Sequence, residues 1–187
     1  MDSIDVVVVG AGVIGLAVAR ALALRGREVL ILEAAETFGT GISSRHSEVI
    51  HAGLYYPRGS LKAQLCVIGR HRLYEFCERF SVHHRRCGKL IVATSDDQML
   101  DLKAIHAVAT GNGAPLEWLD AAQAREKEPE VACVGALYSP TTGIIDSHSY
   151  MLALLGDAER HRANIVYRSR VAAMWLETSS VLIAIND

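Results

Sequence analysis

An α/β fold is predicted, and three observations carry it. The run Gly10-Ala11-Gly12-Val13-Ile14-Gly15 follows an apolar stretch, Val6–Val9. The same run opens an alanine-rich segment with Ala17, Ala19, Ala21 and Ala23. A second apolar stretch, Val29–Leu32, ends in Glu33. Strand, helix, strand and terminal acid at this spacing make a Rossmann-like β-α-β unit for an adenine dinucleotide.

Each position in that unit has its own reason. Gly10 permits the tight turn out of the first strand. Gly12, with no Cβ, lets a pyrophosphate approach the backbone, and Gly15 lets the helix lie close to the sheet. The first-turn N–H groups and the helix dipole then hold the phosphates, and Ala11, Val13 and Ile14 are counted with the glycines as cofactor-binding residues. Glu33 and the adjoining Ala34 sit where a carboxylate accepts the two hydroxyls of an adenosine ribose. An acid there disfavours a 2′-phosphate and so argues against NADP. The alternative is an ordinary β-α-β crossover with chance glycines.

The remaining elements follow in order. Small residues from Ala34 to Gly41 form a loop that runs into Ser43-Ser44-Arg45-His46-Ser47. Val49 to Tyr56 is a short apolar segment closed by Pro57. A helix is predicted from Ser60, its N-cap, to Phe80, with Leu61, Leu65, Ile68, Leu73 and Phe76 near the helical period. Lys89–Thr94 reads as a strand, and Asp96–Ala109 as a helix capped near Ser95 and ended by Gly111-Asn112-Gly113. A short strand at Leu116–Leu119 precedes a helix that Asp120 caps and Pro129 ends. Gly135–Tyr138 is a strand and Pro140–Gly143 a turn. Ile144-Ile145-Asp146 leads into a helix from Ser147 to about His161. Strands at Asn164–Tyr167, Ala172–Leu176 and Val181–Ile185 close the chain, the last two as a hairpin across Thr178-Ser179-Ser180. The β-α-β layer is thus interrupted by a mixed α+β region. The expected division is 1–80 for the first part of the nucleotide-binding domain, 81–163 for an inserted substrate region and 164–187 for the return.

Bulk properties narrow the function. The 187 residues are 50% apolar and 21% charged, as in a globular protein. A net charge of −2 supplies no general attraction for nucleic acid. Cys66, Cys77, Cys87 and Cys133 show neither a C-x-x-C pair nor zinc spacing and are expected as reduced thiols, with no metal bound. Val6–Leu24 is about as long as a membrane span. Asp2 and Asp5 precede it, however, and Gly10, Gly12, Gly15 and Arg20 interrupt it, so it reads as a buried strand and helix. The expectation is a cytoplasmic protein without a targeting segment.

The glycine-rich unit alone does not choose between NAD and FAD. The loop after Glu33 points to the longer cofactor. Its small residues can wrap beneath a second phosphate, the hydroxyls and N–H groups of Ser43, Ser44 and Ser47 can bond it, and Arg45 adds charge, with His46 as a further contact. A plain polar loop is the alternative.

The run from Ser44 through Val49-Ile50-His51-Ala52-Gly53-Leu54-Tyr55-Tyr56 resembles one family. So do Ser60-Leu61-Lys62-Ala63, Leu65-Cys66, Cys87-Gly88-Lys89-Leu90-Ile91-Val92-Ala93, Lys127-Glu128-Pro129 and Thr142-Gly143-Ile144-Ile145-Asp146. The family is the L-2-hydroxyglutarate dehydrogenase/oxidase branch of the D-amino-acid-oxidase-like FAD oxidoreductases. The resemblance implies FAD as cofactor and oxidation of a small 2-hydroxy acid, with L-2-hydroxyglutarate giving 2-oxoglutarate as the first choice. Oxygen or a membrane quinone is the implied electron acceptor, with any membrane contact peripheral. It also implies backbone contact of Val171 with the adenine ring. Family members run to about twice this length, so the chain reads as the N-terminal part of such an enzyme or a shortened relative.

Oxidising a hydroxy acid with a flavin needs a base for the hydroxyl proton, and His51 is the candidate; the resemblance places its segment beside the flavin ring. A histidine bonded to backbone or flavin without proton transfer is the alternative. Tyr55 and Tyr56 line the pocket or pack beside Pro57. Arg58, Lys62 and Lys89 are cations for a carboxylate substrate or solvated surface groups. His83-His84-Arg85-Arg86 reads as a solvated basic loop. Two other readings stay open: an amine or amino-acid oxidase with the same cofactor, and a flavin-binding module without turnover.

Overall fold

The computed structural model describes residues 3–186. Asp2, whose charge enters the reading of the N-terminus, and Asp187 lie outside them. The chain forms two compact units, one combining residues up to Ser47 with those from Ser147, the other spanning Glu48–Asp146.

In the discontinuous unit, β1 (Val6–Val9), β2 (Val29–Leu32) and β9 (Ala163–Val166) form a parallel sheet with β2 in the centre. Val6 pairs with Val29 and Leu32 with Val166 at the two ends of the register. The central strand, paired on both edges, is the most buried of the three, with Val29, Ile31 and Leu32 buried. Helix α1 (Val13–Ala23) turns Leu16, Ala19 and Ala23 inward, and α5 (Ser147–Arg160) turns Met151, Leu154, Leu155 and Ala158 inward. The two helices pack together. Between them the Arg20 Nε–Asp157 Oδ2 pair is 2.6 Å long, with the Asp157 carboxylate nearly buried. A separate antiparallel hairpin, β10 (Arg170–Leu176) and β11 (Val181–Asn186), belongs to the same unit.

The continuous unit holds two antiparallel sheets. In one, β8 (Gly143–Ile145) lies between β3 (Val49–Ile50) and β4 (His84–Arg85). In the other, β7 (Gly135–Ser139) lies between β5 (Lys89–Ala93) and β6 (Glu117–Leu119). Ala93, Leu102 and Leu137 form a core with Ile91, Met99, Ile105 and Leu116 against it. Helix α2 (Leu61–Phe80) buries Ala63, Arg70, Tyr74 and Cys77 along one stripe. Helices α3 (Met99–Gly111) and α4 (Ala121–Lys127) complete the unit.

Several expectations are corrected. Helix α3 starts at Met99, not Asp96. The Thr94 N–H and hydroxyl both donate to Gln98 Oε1, at 2.8 and 3.0 Å, and hold the preceding residues as turns. The basic run is not a free loop: His84 and Arg85 pair with β8, and the Arg86 guanidinium lies 4.2 Å from the centre of the Tyr74 ring. Only Val49–Ile50 of the apolar segment is strand, since the carbonyls beyond it bond to side chains instead of a ladder. Changes of unit fall at Ser47/Glu48 and Asp146/Ser147, whereas the sequence places them near 80 and 163. The reason is tertiary. Helix α2 is tied to the continuous unit through Arg70 and Tyr74, both bonded to Thr141, and α5 is tied to α1. No linker marks either change in the sequence.

Ser60 caps α2, its hydroxyl accepting the Ala63 N–H at 3.2 Å. Asp120 caps α4 through a reciprocal box: its carboxylate accepts the Gln123 N–H at 2.8 Å, and Gln123 Oε1 accepts the Asp120 N–H at 2.9 Å. Asp120→Ala removes this box and is expected to cost about 1 kcal/mol in urea unfolding. An unchanged midpoint would refute the role.

Candidate functional site

The glycine-rich turn has the shape the sequence requires. Gly10 has a φ of +95°, open only to a residue without Cβ penalty. A Cβ on Gly15 would run into the Gly10 carbonyl, so helix and strand end touch there. Gly12 caps α1 in an extended conformation (φ −75°, ψ 174°) and offers no side chain to the helix end. The intrahelical ladder begins with the Leu16 N–H donating to the Gly12 carbonyl, so Ile14 and Gly15 present N–H groups with no acceptor inside the helix. Ser43 Oγ accepts the Val13 N–H at 3.0 Å. Its own O–H proton stays available to an anion at the same place.

Glu33 closes the other side. Its carboxylate accepts the Ala11 N–H at 2.7 Å and the Ala35 N–H at 2.8 Å. Two of its roughly four lone-pair positions remain, enough for a ribose diol. The strand-end turn after β9 braces this corner: the Ser169 N–H donates to the Glu33 carbonyl and the Arg168 N–H to the Ala35 carbonyl. Tyr167, absent from the sequence candidates, lies here. Burial pushes its phenol upward, and the charges of Glu159 and Glu33 add to the shift.

The loop that follows is pinned to the turn by the Gly39 N–H, which donates to the Ala11 carbonyl at 3.0 Å. Gly39 has a φ of +70°, and a Cβ there would meet Met151. A short 3-10 turn, Ile42–Ser44, brings Ser43 to the helix end. The Ser44 hydroxyl bonds the turn's own carbonyls, Gly41 at 2.9 Å and Thr40 at 3.2 Å. Ala34, Arg45, His46 and Ser47 are exposed. Val171 stands in β10 opposite Ile185, where the ladder register shifts. All these residues belong to the discontinuous unit; His51 belongs to the continuous one.

His51 follows β3, and its segment is fixed by side chains. The Cys66 thiol donates to the His51 carbonyl at 3.4 Å. The buried Arg70 donates through Nη1 to the Ala52 carbonyl and to Thr141 Oγ1, each at 3.0 Å. Asn112 Nδ2 donates to the carbonyls of Tyr56 (2.8 Å) and Gly53 (3.2 Å). Burial pushes the Cys66 thiol up, which favours the protonated form that donates. A shallow concavity is lined by His51, Ala52, Gly53, Leu54, Tyr55, Tyr56, Lys89 and Thr142. The His51 pKa is lowered by partial burial first and then by the charges of Lys89 and Lys62. Both causes disfavour the imidazolium and favour the neutral ring, the form that accepts a proton. Arg58 is elsewhere, with its side chain against Gly111.

Sequence reasoning missed Arg70, Cys66 and Asn112 as supports. One signal was present: Arg70 falls on the buried stripe of α2 with Ala63, Tyr74 and Cys77, and an arginine in such a stripe needs acceptors. The carbonyls that Asn112 meets are more than fifty residues away in sequence and leave no local trace.

The geometry fits an adenine dinucleotide, and comparison with known proteins agrees. A family model described as FAD dependent oxidoreductase matches residues 5–182. The mitochondrial L-2-hydroxyglutarate dehydrogenase of Arabidopsis thaliana is 51% identical over 168 residues, covering 89% of this chain and 34% of the relative. The human mitochondrial L-2-hydroxyglutarate dehydrogenase is 34% identical over 182 residues, covering 96% of this chain and 39% of the relative. The chain thus spans little more than a third of either relative's length. Among solved structures, the FAD-bound L-alpha-glycerophosphate oxidase of Mycoplasma pneumoniae superposes with a TM-score of 0.94 at 23% identity. That match covers all of this chain and 50% of the other and shows the shared fold. With the family model covering nearly the whole sequence, the chain belongs to the FAD dependent oxidoreductases of the DAO family.

Proposed function

We propose that the protein acts as an FAD-dependent 2-hydroxy-acid dehydrogenase, oxidising L-2-hydroxyglutarate to 2-oxoglutarate. The observation that carries this reading is His51 in a concavity that Lys89 also lines, on a sequence 51% identical to a dehydrogenase of that name. FAD, when bound, supplies the acceptor for the hydride that leaves C2. The Gly10–Gly15 turn, the first N–H groups of α1 and Ser43 would hold its diphosphate, and the free lone pairs of Glu33 its ribose. Ala34, Ser44, Arg45, His46 and Ser47 would border it, with Val171 at the adenine. His51 Nδ1 or Nε2 takes the hydroxyl proton as the C2–H bond breaks, and Cys66 and Arg70 keep its backbone in place. Reoxidation by oxygen or a membrane quinone belongs to the same proposal; among the described residues no helix is long and apolar enough to cross a membrane.

The test is anaerobic mixing of the FAD-loaded protein with candidate substrates while the oxidised flavin band is followed. L-2-Hydroxyglutarate is expected to bleach it; glycine, sarcosine and D-amino acids are not. Bleaching by an amine alone would favour the amine-oxidase reading, and bleaching by none the non-catalytic one. The rate is expected to fall as pH drops through a pKa below the ordinary histidine value of about 6.5, because proton uptake by His51 removes the base. An acid limb above that value would refute the assignment.

A further inference from the structure

Lys62 and Lys89 sit in an unusual setting. The Lys89 ammonium donates to the Tyr55 hydroxyl at 2.9 Å and lies 4.8 Å from the centre of that ring. The Lys62 ammonium lies 4.6 Å from the centre of the Tyr56 ring. Neither lysine is in an ion pair among the described residues, and no acid is among the residues that line the concavity with Lys89 and Tyr56, the ring that Lys62 covers. The buried Arg70 guanidinium beneath Ala52 adds a third positive charge. The chain as a whole carries a net charge of −2, so this is a local cationic spot on an acidic protein. Both ammonium groups act on His51 strongly enough to disfavour its protonation. Two flexible cations held on neighbouring rings, with no counter-charge, are arranged as anion donors. Because Tyr55 accepts from Lys89, its own O–H remains free to donate to the same anion.

We propose that Lys62 and Lys89, carried on the Tyr56 and Tyr55 rings, form a carboxylate-binding site beside His51 that holds a carboxylate of the acid substrate. The proposal rests on the hydroxy-acid reading of this concavity and adds the residues that recognise the acid.

The experiment uses glutarate, a dicarboxylate with no hydroxyl to oxidise, and FAD-loaded protein with isotope-labelled histidine. The His51 resonance is identified by its loss in His51→Asn. Burial is the first cause of the lowered His51 pKa, and the charged groups that add to it are Lys89 and Lys62, so an anion held by these lysines should relieve their part of the effect. Saturating glutarate is therefore expected to raise the His51 pKa, and the neutral diamide glutaramide to leave it alone. Lys62→Met and Lys89→Met should each weaken glutarate about tenfold, and Lys89→Arg should retain most of the affinity. Thermal unfolding of each variant close to the parent separates lost recognition from lost fold. Undiminished glutarate affinity in the folded Lys62→Met/Lys89→Met double variant would overturn the site, as would a His51 pKa that ignores bound glutarate. If glutarate binds in the lysine-dependent way but L-2-hydroxyglutarate never reduces the flavin, the site stands and the dehydrogenase reading falls. If the substrate reduces flavin with unchanged KM in the double variant, the reverse holds.

Discussion

Gly15→Val is expected to yield a protein that retains no FAD after desalting and unfolds more easily by about 3–4 kcal/mol. The Cβ would enter the space of the Gly10 carbonyl, which is backbone and has no alternative rotamer to adopt. Relief requires α1 to move off the end of β1, and that movement carries the helix N-terminus away from the place where Ser43 Oγ and the Val13 N–H meet. Packing of Leu16 and Ala19, both fully buried, is disturbed by the same shift. Gly156→Ala is the matching control: a Cβ there meets nothing within 4 Å, so FAD should be retained. Flavin absorbance per protein and urea unfolding measure the two effects. A Gly15→Val protein that stays yellow would show that the turn does not hold the cofactor.

His51→Ala is expected to keep its flavin and to slow anaerobic flavin reduction by L-2-hydroxyglutarate on the order of 10²-fold or more. The backbone supports survive this change, since Cys66 bonds the His51 carbonyl rather than its ring. Two further readouts separate proton transfer from structure. Added imidazole should restore part of the rate, and the acid limb of the pH profile should vanish with the ring. Full reduction rate in His51→Ala would remove the residue from the chemistry.

The β1-α1-β2 unit was legible because its glycines do work that no other residue can do. The positive φ of Gly10 and the contact of Gly15 with the Gly10 carbonyl are written directly in the spacing. Glu33 was legible as an acid at a strand end, but its bonds to the Ala11 and Ala35 N–H groups were not. Strands closed by long-range pairing were harder. His83–Arg86 looks polar and mobile, yet β8, some sixty residues later, turns part of it into a strand. The Val49–Tyr56 segment reads only as a short apolar stretch closed by Pro57, and just its first two residues form a strand. It departs from the ladder after Ile50 because Arg70, Cys66 and Asn112 provide better partners for its carbonyls. The boundaries of the two units depend on where α2 and α5 dock, and docking is set by contacts such as Arg20 with Asp157 that sequence adjacency does not reveal.

The parallel pairing of β2 with β9 has a consequence for biosynthesis. As the chain leaves the ribosome, Val29–Leu32 meets β1 early, but its other edge waits until Ala163–Val166 has been made. Throughout that interval an apolar strand edge stands open to any passing polypeptide. Slow translation between these two points, or scarcity of chaperones during it, should therefore lower the yield of soluble protein more than the same delay placed after Val166.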